Sequence, residues 1–387
     1  MDFTPDEDHE AIADAVRRVC ADFSDDYWAQ CERDHRFPTE FYARMAEGGW
    51  LGIAIPEEYG GGGRGIAEAA IVLNEVAKSG AAMNGCSALH LTIFGLNPVV
   101  KFGSERLKRA FLPRAAAGEL HVAFGVTEPD AGTDTSRIST RADADGHGNY
   151  VVNGHKIWTT KALESEVVLL LARTDPRPDA RFKGLSLFLA DLDRDHCTIR
   201  PIPKMGRNAV ASCEVFYDAM PVEGWRLVGK EGEGFTQLLH GFNPERILLA
   251  AEAIGIGEVA LRRAVSYAKA REVFGRPIGA NQSIAHPLAL AHVQLRAAWQ
   301  MVMLAAWRYD RGLDCGEAAN TAKYLAAEAS WFAADRAVQT LGGMGYASEH
   351  HVERYFREAR LQRIAPVSQE MTLNYVAQTV LGLPRSY

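Results

Sequence analysis

No apolar run in this chain of 387 residues approaches the roughly 18 that a membrane-crossing helix needs; the densest, Val167 to Ala172, is of strand length. The first residues, Met1-Asp2-Phe3-Thr4-Pro5-Asp6-Glu7, are acidic and lack the apolar centre of a secretory signal. They read instead as a helix start, with Thr4 as N-cap, Pro5 as first helical residue and Glu7 closing a capping box. A basic excess is also lacking: 42 Lys+Arg stand against 49 Asp+Glu, a net charge of −7, which argues against a nucleic-acid partner. The six cysteines (Cys20, Cys31, Cys86, Cys197, Cys213 and Cys315) contain no C-x-x-C pair. They point to buried thiols in a cytoplasmic chain rather than a zinc site or a disulfide framework.

The usual chemical motifs are missing too. There is no H-E-x-x-H, and the adjacent His350 and His351 cannot share a helix face. No G-x-S-x-G elbow occurs. Gly224 to Lys230 has the spacing of a phosphate loop, but Glu231 stands where Ser or Thr must bind magnesium, and a carboxylate there repels phosphate. Gly255-Ile256-Gly257 lies inside a helical period and follows no strand, so it is not a dinucleotide turn.

What remains is an ordinary globular composition, 47% hydrophobic and 24% charged, long enough for two or three domains. Helical patterns fill the chain to about His121; Ala67 to Lys78, with Ala70, Ile71, Leu73, Val76 and Ala77 on one stripe, is the clearest. Strand-like runs follow at Val122–Val126, Tyr150–Thr160, Val167–Arg173, Leu185–Leu189, Cys197–Ile202 and Cys213–Tyr217. Asn153-Gly154 between alternating flanks predicts a hairpin turn. After Gly229–Gly234 long helical patterns return, broken at Gly342-Gly343-Met344-Gly345. Helices, strands, then helices predict an α+β multidomain chain with units 1–121, 122–233 and 234–387, and exclude an alternating βαβ fold.

Four segments carry chemistry. Phe124-Gly125-Val126-Thr127-Glu128-Pro129-Asp130-Ala131-Gly132-Thr133-Asp134 runs from a strand into a small, hydroxyl-rich turn, whose backbone N–H groups near Gly132 suit an anionic or carbonyl-rich ligand. Asn153 to Thr160 places Trp158 and Thr160 on one strand face, where an indole and a hydroxyl could hold a flat heterocycle. Arg271-Glu272-Val273-Phe274-Gly275-Arg276-Pro277, followed by Gln282, stands at a helix end. Gln339-Thr340-Leu341-Gly342-Gly343-Met344-Gly345-Tyr346 is the fourth. Read alone, each is equally a turn, a core tryptophan or a helix end.

Together, the strings V-T-E-P-D-A-G-T-D, N-G-H-K-I-W, R-E-V-F-G and Q-T-L-G-G-M-G-Y resemble the acyl-CoA dehydrogenase family, in order and at family spacing over the whole chain. The resemblance implies an N-terminal helical domain, a middle β-barrel-like domain and a C-terminal four-helix bundle. It implies homodimers or homotetramers with FAD held across a subunit boundary, a role in fatty-acid metabolism, and electron-transfer flavoprotein as the acceptor. It places Phe124, Val126 and Thr127 along the isoalloxazine, Gly132 and Thr133 near the pyrophosphate, Trp158 over the ring and Thr160 near N5. Arg271, Phe274, Gln282, Gln339, Gly342 and Gly343 would hold the AMP half of a neighbouring subunit's FAD. Guanidinium suits phosphate, and glycine permits close backbone approach. His90, Phe94 and Ala365 are implied acyl-pocket liners. Ala365, where the family usually has Tyr, leaves room for a branched or bulky acyl group.

The chain departs from the family where the usual base stands. The matching stretch is Ile364-Ala365-Pro366-Val367-Ser368-Gln369-Glu370, and Pro366 occupies the base position. It can take no proton and has no N–H with which to polarise a thioester carbonyl. A minority of the family carries its Glu early in the long helix after the β domain, and Phe242-Asn243-Pro244-Glu245-Arg246 puts Glu245 there, with Asn243 and Arg246 as substrate contacts. N-P-E is also a plain helix-start signature. Glu370 is the second candidate base. Three readings stay open: dehydrogenation by Glu245, the same scaffold as an oxidase or enoyl-CoA reductase, and a silent acyl-CoA-binding flavoprotein.

Overall fold

A computed structural model describes residues 6–177 and 181–385. Seven helices come first: α1 (Glu7–Ala21), α2 (Asp25–Asp34), α3 (Thr39–Glu47), α4 (Ile66–Val76), α5 (Ala82–Ile93), α6 (Asn97–Phe102) and α7 (Glu105–Ala116). Asp6 caps α1, its carboxylate accepting from the Asp8 N–H; Thr4 and Pro5, the expected cap and first residue, lie outside the described residues. The predicted amphipathic helix is α4, continued by a π turn over Ala77–Ala81. Its first two free N–H groups, of Ile66 and Ala67, donate to Asp310 at 2.8 and 3.1 Å, so a carboxylate remote in sequence does the work of an N-cap.

Eight strands follow: β1 (Val122–Gly125), β2 (Arg141–Ala144), β3 (Tyr150–Thr160), β4 (Val167–Arg173), β5 (Leu185–Asp191), β6 (Cys197–Pro201), β7 (Ser212–Val222) and β8 (Leu227–Val228). They form one mixed sheet in the order β6-β7-β3-β2-β4-β5-β8, and β1 lies parallel to β4. Among the described residues β6 and β8 do not pair, so the barrel-like expectation becomes an open, curved path rather than a closed cylinder. β4 shows why it reads as a solid apolar run. Val167, Leu169 and Leu171 enter a core shared with α7, while Val168, Leu170 and Ala172 enter a second core on the other face.

The predicted turn at Asn153-Gly154 is not there. β3 runs straight through it, and the β2–β3 turn lies earlier, where Asp145 accepts from the N–H groups of His147 and Asn149. Gly154 answers a different need: a Cβ there would stand 2.6 Å from the Cα of Thr140.

The C-terminal helices are α8 (Gly234–Ala270), α9 (Gln282–Asp310), α10 (Gly316–Leu341), α11 (Gly343–Tyr346), α12 (Val352–Leu361) and α13 (Gln369–Tyr375), with a short β9–β10 ribbon (Glu272–Val273 and Arg276–Pro277) between α8 and α9. Pro244 lies inside α8, ten residues past its start, so N-P-E does not open a helix. α4, α5 and α8 to α10 share one apolar core. Gly255 makes the α4–α8 approach possible, since a Cβ there would sit 2.5 Å from that of Ala77. All six cysteines are buried and unbridged.

Candidate active site

The first two motif segments are brought together by an ion pair. Lys156, fully buried on β3, donates from Nζ to Glu128 at 2.8 Å and to the Val126 carbonyl at 2.9 Å. Glu128 also accepts from the N–H and hydroxyl of Ser139 and from the N–H of Thr140. Burial alone would raise the Glu128 carboxyl, but Lys156 and these hydrogen bonds outweigh it and bring it to about 2. Lys156 is itself pushed down to about 8, because its burial outweighs the carboxylate. The Ile157 N–H donates to the Thr127 carbonyl at 2.9 Å. The clamp thus lays Phe124, Val126 and Thr127, all half-buried, beside the strand that carries Trp158.

Trp158 itself has φ of +63° and is 52% exposed, at a register shift between Lys156 and Thr159 that breaks strict alternation. Beyond it Thr159 is buried and Thr160 is half-buried. The Thr160 hydroxyl accepts from Arg207 at 3.4 Å, and Arg207 also donates to Ser87 at 3.2 Å on α5. One turn along α5 is His90. Its Nε2 stands 2.8 Å from Glu245 and its Nδ1 2.6 Å from Glu252, both on α8. Phe94, the next liner, faces Gly241, where a Cβ would stand 4.0 Å from its ring. Gly241 and Glu245 are one turn apart on α8 and share a face. The structure therefore brings Thr160, His90, Phe94 and Glu245 into one region, joined through Arg207.

The remaining residues lie elsewhere on the chain. Arg271 ends α8, Phe274 is fully exposed at φ of +53° on the β9–β10 turn, and Gln282 opens α9. Gln339 and the exposed Gly342 and Gly343 lie where α10 gives way to α11. Tyr267, one turn before Arg271, meets the ring of His350 edge-on at 6.1 Å, so both groups occupy the same end of the bundle. No hydrogen bond or ring contact among the described residues joins them to Trp158 or Thr160. Gly132 and Thr133 are exposed in the loop before Asp134.

Two further positions differ sharply. Arg246 donates to Asn243 at 3.1 Å, and burial lowers its guanidinium below its usual value. Lys323, buried on α10 and bonded to the Gln362 carbonyl, is pushed down to about 8 by burial and by Arg246. Pro366 is exposed, and Glu370 sits exposed in the first turn of α13 behind its cap Ser368. Backbone N–H and the Ser368 hydroxyl hold the Glu370 carboxyl below its ordinary range.

Family models described as the N-terminal, middle and C-terminal domains of acyl-CoA dehydrogenase match residues 6–119, 123–220 and 232–381. The chain belongs to the acyl-CoA dehydrogenase family. It is 41% identical to acyl-CoA dehydrogenase FadE12 of Mycobacterium tuberculosis over 390 aligned positions, covering 100% of this chain and 99% of that one. Among solved structures it resembles butyryl-CoA dehydrogenase from Megasphaera elsdenii (TM-score 0.93, 29% identity, 98% of this chain and 100% of that chain). It also resembles an FAD complex of PigA (TM-score 0.93, 26% identity, 99% and 100%). With the family come the oxidoreductase class and FAD as cofactor.

The residues of this acyl-CoA dehydrogenase fit that cofactor. Trp158 offers an uncovered ring, and Arg271 has no carboxylate partner among the described residues and suits a diphosphate. Glu128 and Lys156 stood inside two of the motifs but were given no role there, and Arg207 and Glu252 stood in none. The available signal was a lysine at a core-facing position of an alternating strand and a glutamate one period beyond Glu245, on the same face of α8.

Proposed function

We propose that this chain removes two hydrogens across the α,β bond of an acyl-CoA thioester, with Glu245 as the base. The observation that carries the reading is the Glu245 carboxylate: 27% exposed, bonded to His90, and one turn along α8 from Gly241, which faces Phe94. There it can take the α-proton, and filling the pocket with substrate would desolvate it and raise its basicity. FAD, when bound, accepts the β-hydrogen as hydride. Phe124, Val126, Thr127, Trp158 and Thr160 would line and orient the ring, with Gly132 and Thr133 toward the pyrophosphate. Arg271, Phe274, Gln282, Gln339, Gly342 and Gly343 would hold the AMP half from a neighbouring subunit, which requires a homodimer or homotetramer. Asn243 and Arg246 would hold substrate. Electron-transfer flavoprotein as acceptor, the units 1–121, 122–233 and 234–387, and a cytoplasmic setting complete the proposal. No helix among the described residues is long and apolar enough to cross a membrane.

Pro366 favours a second reading, a flavoprotein that binds acyl-CoA without turnover, because a proline supplies neither base nor N–H at that position. Anaerobic titration with straight and branched acyl-CoAs separates the two. Bleaching of the oxidised flavin by any of them supports dehydrogenation, and its loss in Glu245→Gln supports Glu245 as the base; no bleaching by any chain leaves the second reading.

A further inference from the structure

His90 has a carboxylate oxygen on each ring nitrogen, Glu245 at 2.8 Å and Glu252 at 2.6 Å. A neutral imidazole carries one N–H, so it could satisfy only one of these contacts. The other would set a lone pair against a carboxylate unless a proton lay between them. Two protons shared over the three groups satisfy both contacts, most simply as an imidazolium between two carboxylates, with a net charge of −1. Exposure falls along the chain: the Glu245 side chain is part-open, that of His90 is nearly closed off, and that of Glu252 is wholly buried.

We propose that His90 is the positioning residue for the base, an imidazolium that fixes the Glu245 carboxylate toward substrate while Glu252 keeps the imidazolium charged. The inference rests on Glu245 being the base. Burial opposes the charge on His90, but Glu245 and Glu252 outweigh it and raise the imidazole well above its usual value. Three other ionisable groups face the network. Cys86 on α5 is a thiol that burial pushes far up and keeps neutral. Arg207 stands across from Glu252, and Arg246 is next to Glu245. Both guanidinium groups add positive charge beside the two carboxylates.

The proton balance follows. Glu245 takes the α-proton, and the C–H electron pair moves into the forming double bond as the β-hydrogen departs with its own pair. Glu245 becomes a neutral acid. The imidazolium and Glu252 remain as a paired cation and anion, so the step leaves no unpaired charge inside the protein. Without His90, Glu245 would face a second buried carboxylate with no cation between them. Removing His90 takes the opposite charge away from the base, so the acid limb of the reaction it catalyses should move upward.

The test uses holoenzyme in four forms: wild type, His90→Gln, Glu252→Gln and Glu245→Gln. Histidine-selective ¹⁵N NMR should show one doubly protonated ring through neutral pH, absent in His90→Gln and deprotonating at lower pH in Glu252→Gln. The second measurement is α-proton exchange of butyryl-, octanoyl- and isobutyryl-CoA in D₂O. His90→Gln should shift the acid limb upward by roughly 1–3 pH units and recover toward the wild-type rate at alkaline pH. A merely structural role would lower the rate at every pH without moving the limb. A His90 ring that loses its proton at the ordinary imidazole value, or a His90→Gln profile that matches wild type, overturns the proposal. If Glu245→Gln exchanges as fast as wild type, the Glu245 reading itself fails, whatever His90 does.

Discussion

Two glutamates are candidates for the base, and their surroundings are opposite. Glu370 is exposed at the start of α13, where helix N–H groups and Ser368 hold its carboxyl down. A carboxylate stabilised in this way stays charged but has little appetite for a proton. Glu245 sits in mid-helix on α8, half-buried, hydrogen-bonded to His90 and with Arg246 beside it. It has no helix terminus to stabilise it, and substrate can strip its remaining water. If Glu245 is the base, neighbours decide which carboxylate works, and nearness to the family's usual base position does not. The comparison breaks if Glu370 proves the necessary one. Glu245→Gln should slow flavin reduction by roughly 10²–10⁴ with FAD content unchanged, while Glu370→Gln keeps most of its rate. Stopped-flow reduction under anaerobic conditions reads both.

A second contrast sets the His90 network against the Glu128–Lys156 pair. The pair is balanced, fully enclosed and served by three further donors, which suits a fixed scaffold. The network is unbalanced and open at one end, which suits a group that must gain a proton. Lys156→Met should therefore act on stability, at about 3–5 kcal/mol, because it leaves a buried carboxylate alone. Denaturant unfolding measures it. The Glu128 carboxyl is held at about 2, against an ordinary 4.5. Its contribution is complete above 4.5 and is lost as pH falls toward 2, because the unfolded chain takes up the proton first. Glu128→Gln should flatten that part of the stability curve.

The two contrasts also mark how far the sequence could be read. β4 was legible to the residue, because an unbroken apolar run is the direct image of two-sided burial, whereas the ends of β3 were legible but its continuity through Asn153-Gly154 was not. Gly154 misled, because a glycine that admits Thr140 and one that turns a hairpin look alike in a string. Pro244 misled in the same way: a proline inside a 37-residue helix carries the sequence mark of a helix start. Of the site, Glu245, Trp158 and Thr160 came from motifs. Glu252 and Arg207 did not, since their meaning lies in α5 meeting α8 and in a loop reaching Thr160, contacts that no local pattern encodes.

The region around Arg271 tests the difference between one chain and its assembly. No hydrogen bond or ring contact among the described residues joins it to Trp158, and Phe274 stands fully exposed beside it. Arg271→Ala should weaken FAD binding by about 1.5–3 kcal/mol through a lost charge-assisted contact to phosphate. Because that contact is expected across subunits, the defect should grow on dilution below the oligomer's dissociation range. Fluorescence of released flavin against protein concentration reads it; a loss independent of concentration would place Arg271 on its own chain's cofactor.

The smallest expected effect is at Trp158, and it sharpens the contrast between the scaffold and the surface it presents. Lys156, two residues earlier, is locked in the core, whereas Trp158 stands half-exposed with φ of +63°. A bulky residue in the left-handed region costs about 1–3 kcal/mol. Such strain persists where a side chain must be aimed, and here the indole is aimed away from the core. Trp158→Ala removes a stacking face worth about 0.5–1.5 kcal/mol beyond its area. It should thus loosen FAD several-fold and change the flavin's visible spectrum, while the denaturation midpoint of the apoprotein stays near wild type. Trp158→Phe, which keeps an aromatic face, should restore most of the affinity. Unchanged occupancy and spectrum in the alanine variant would mean that the strained turn serves the strand register between Lys156 and Thr159, and that the flavin is covered by another residue.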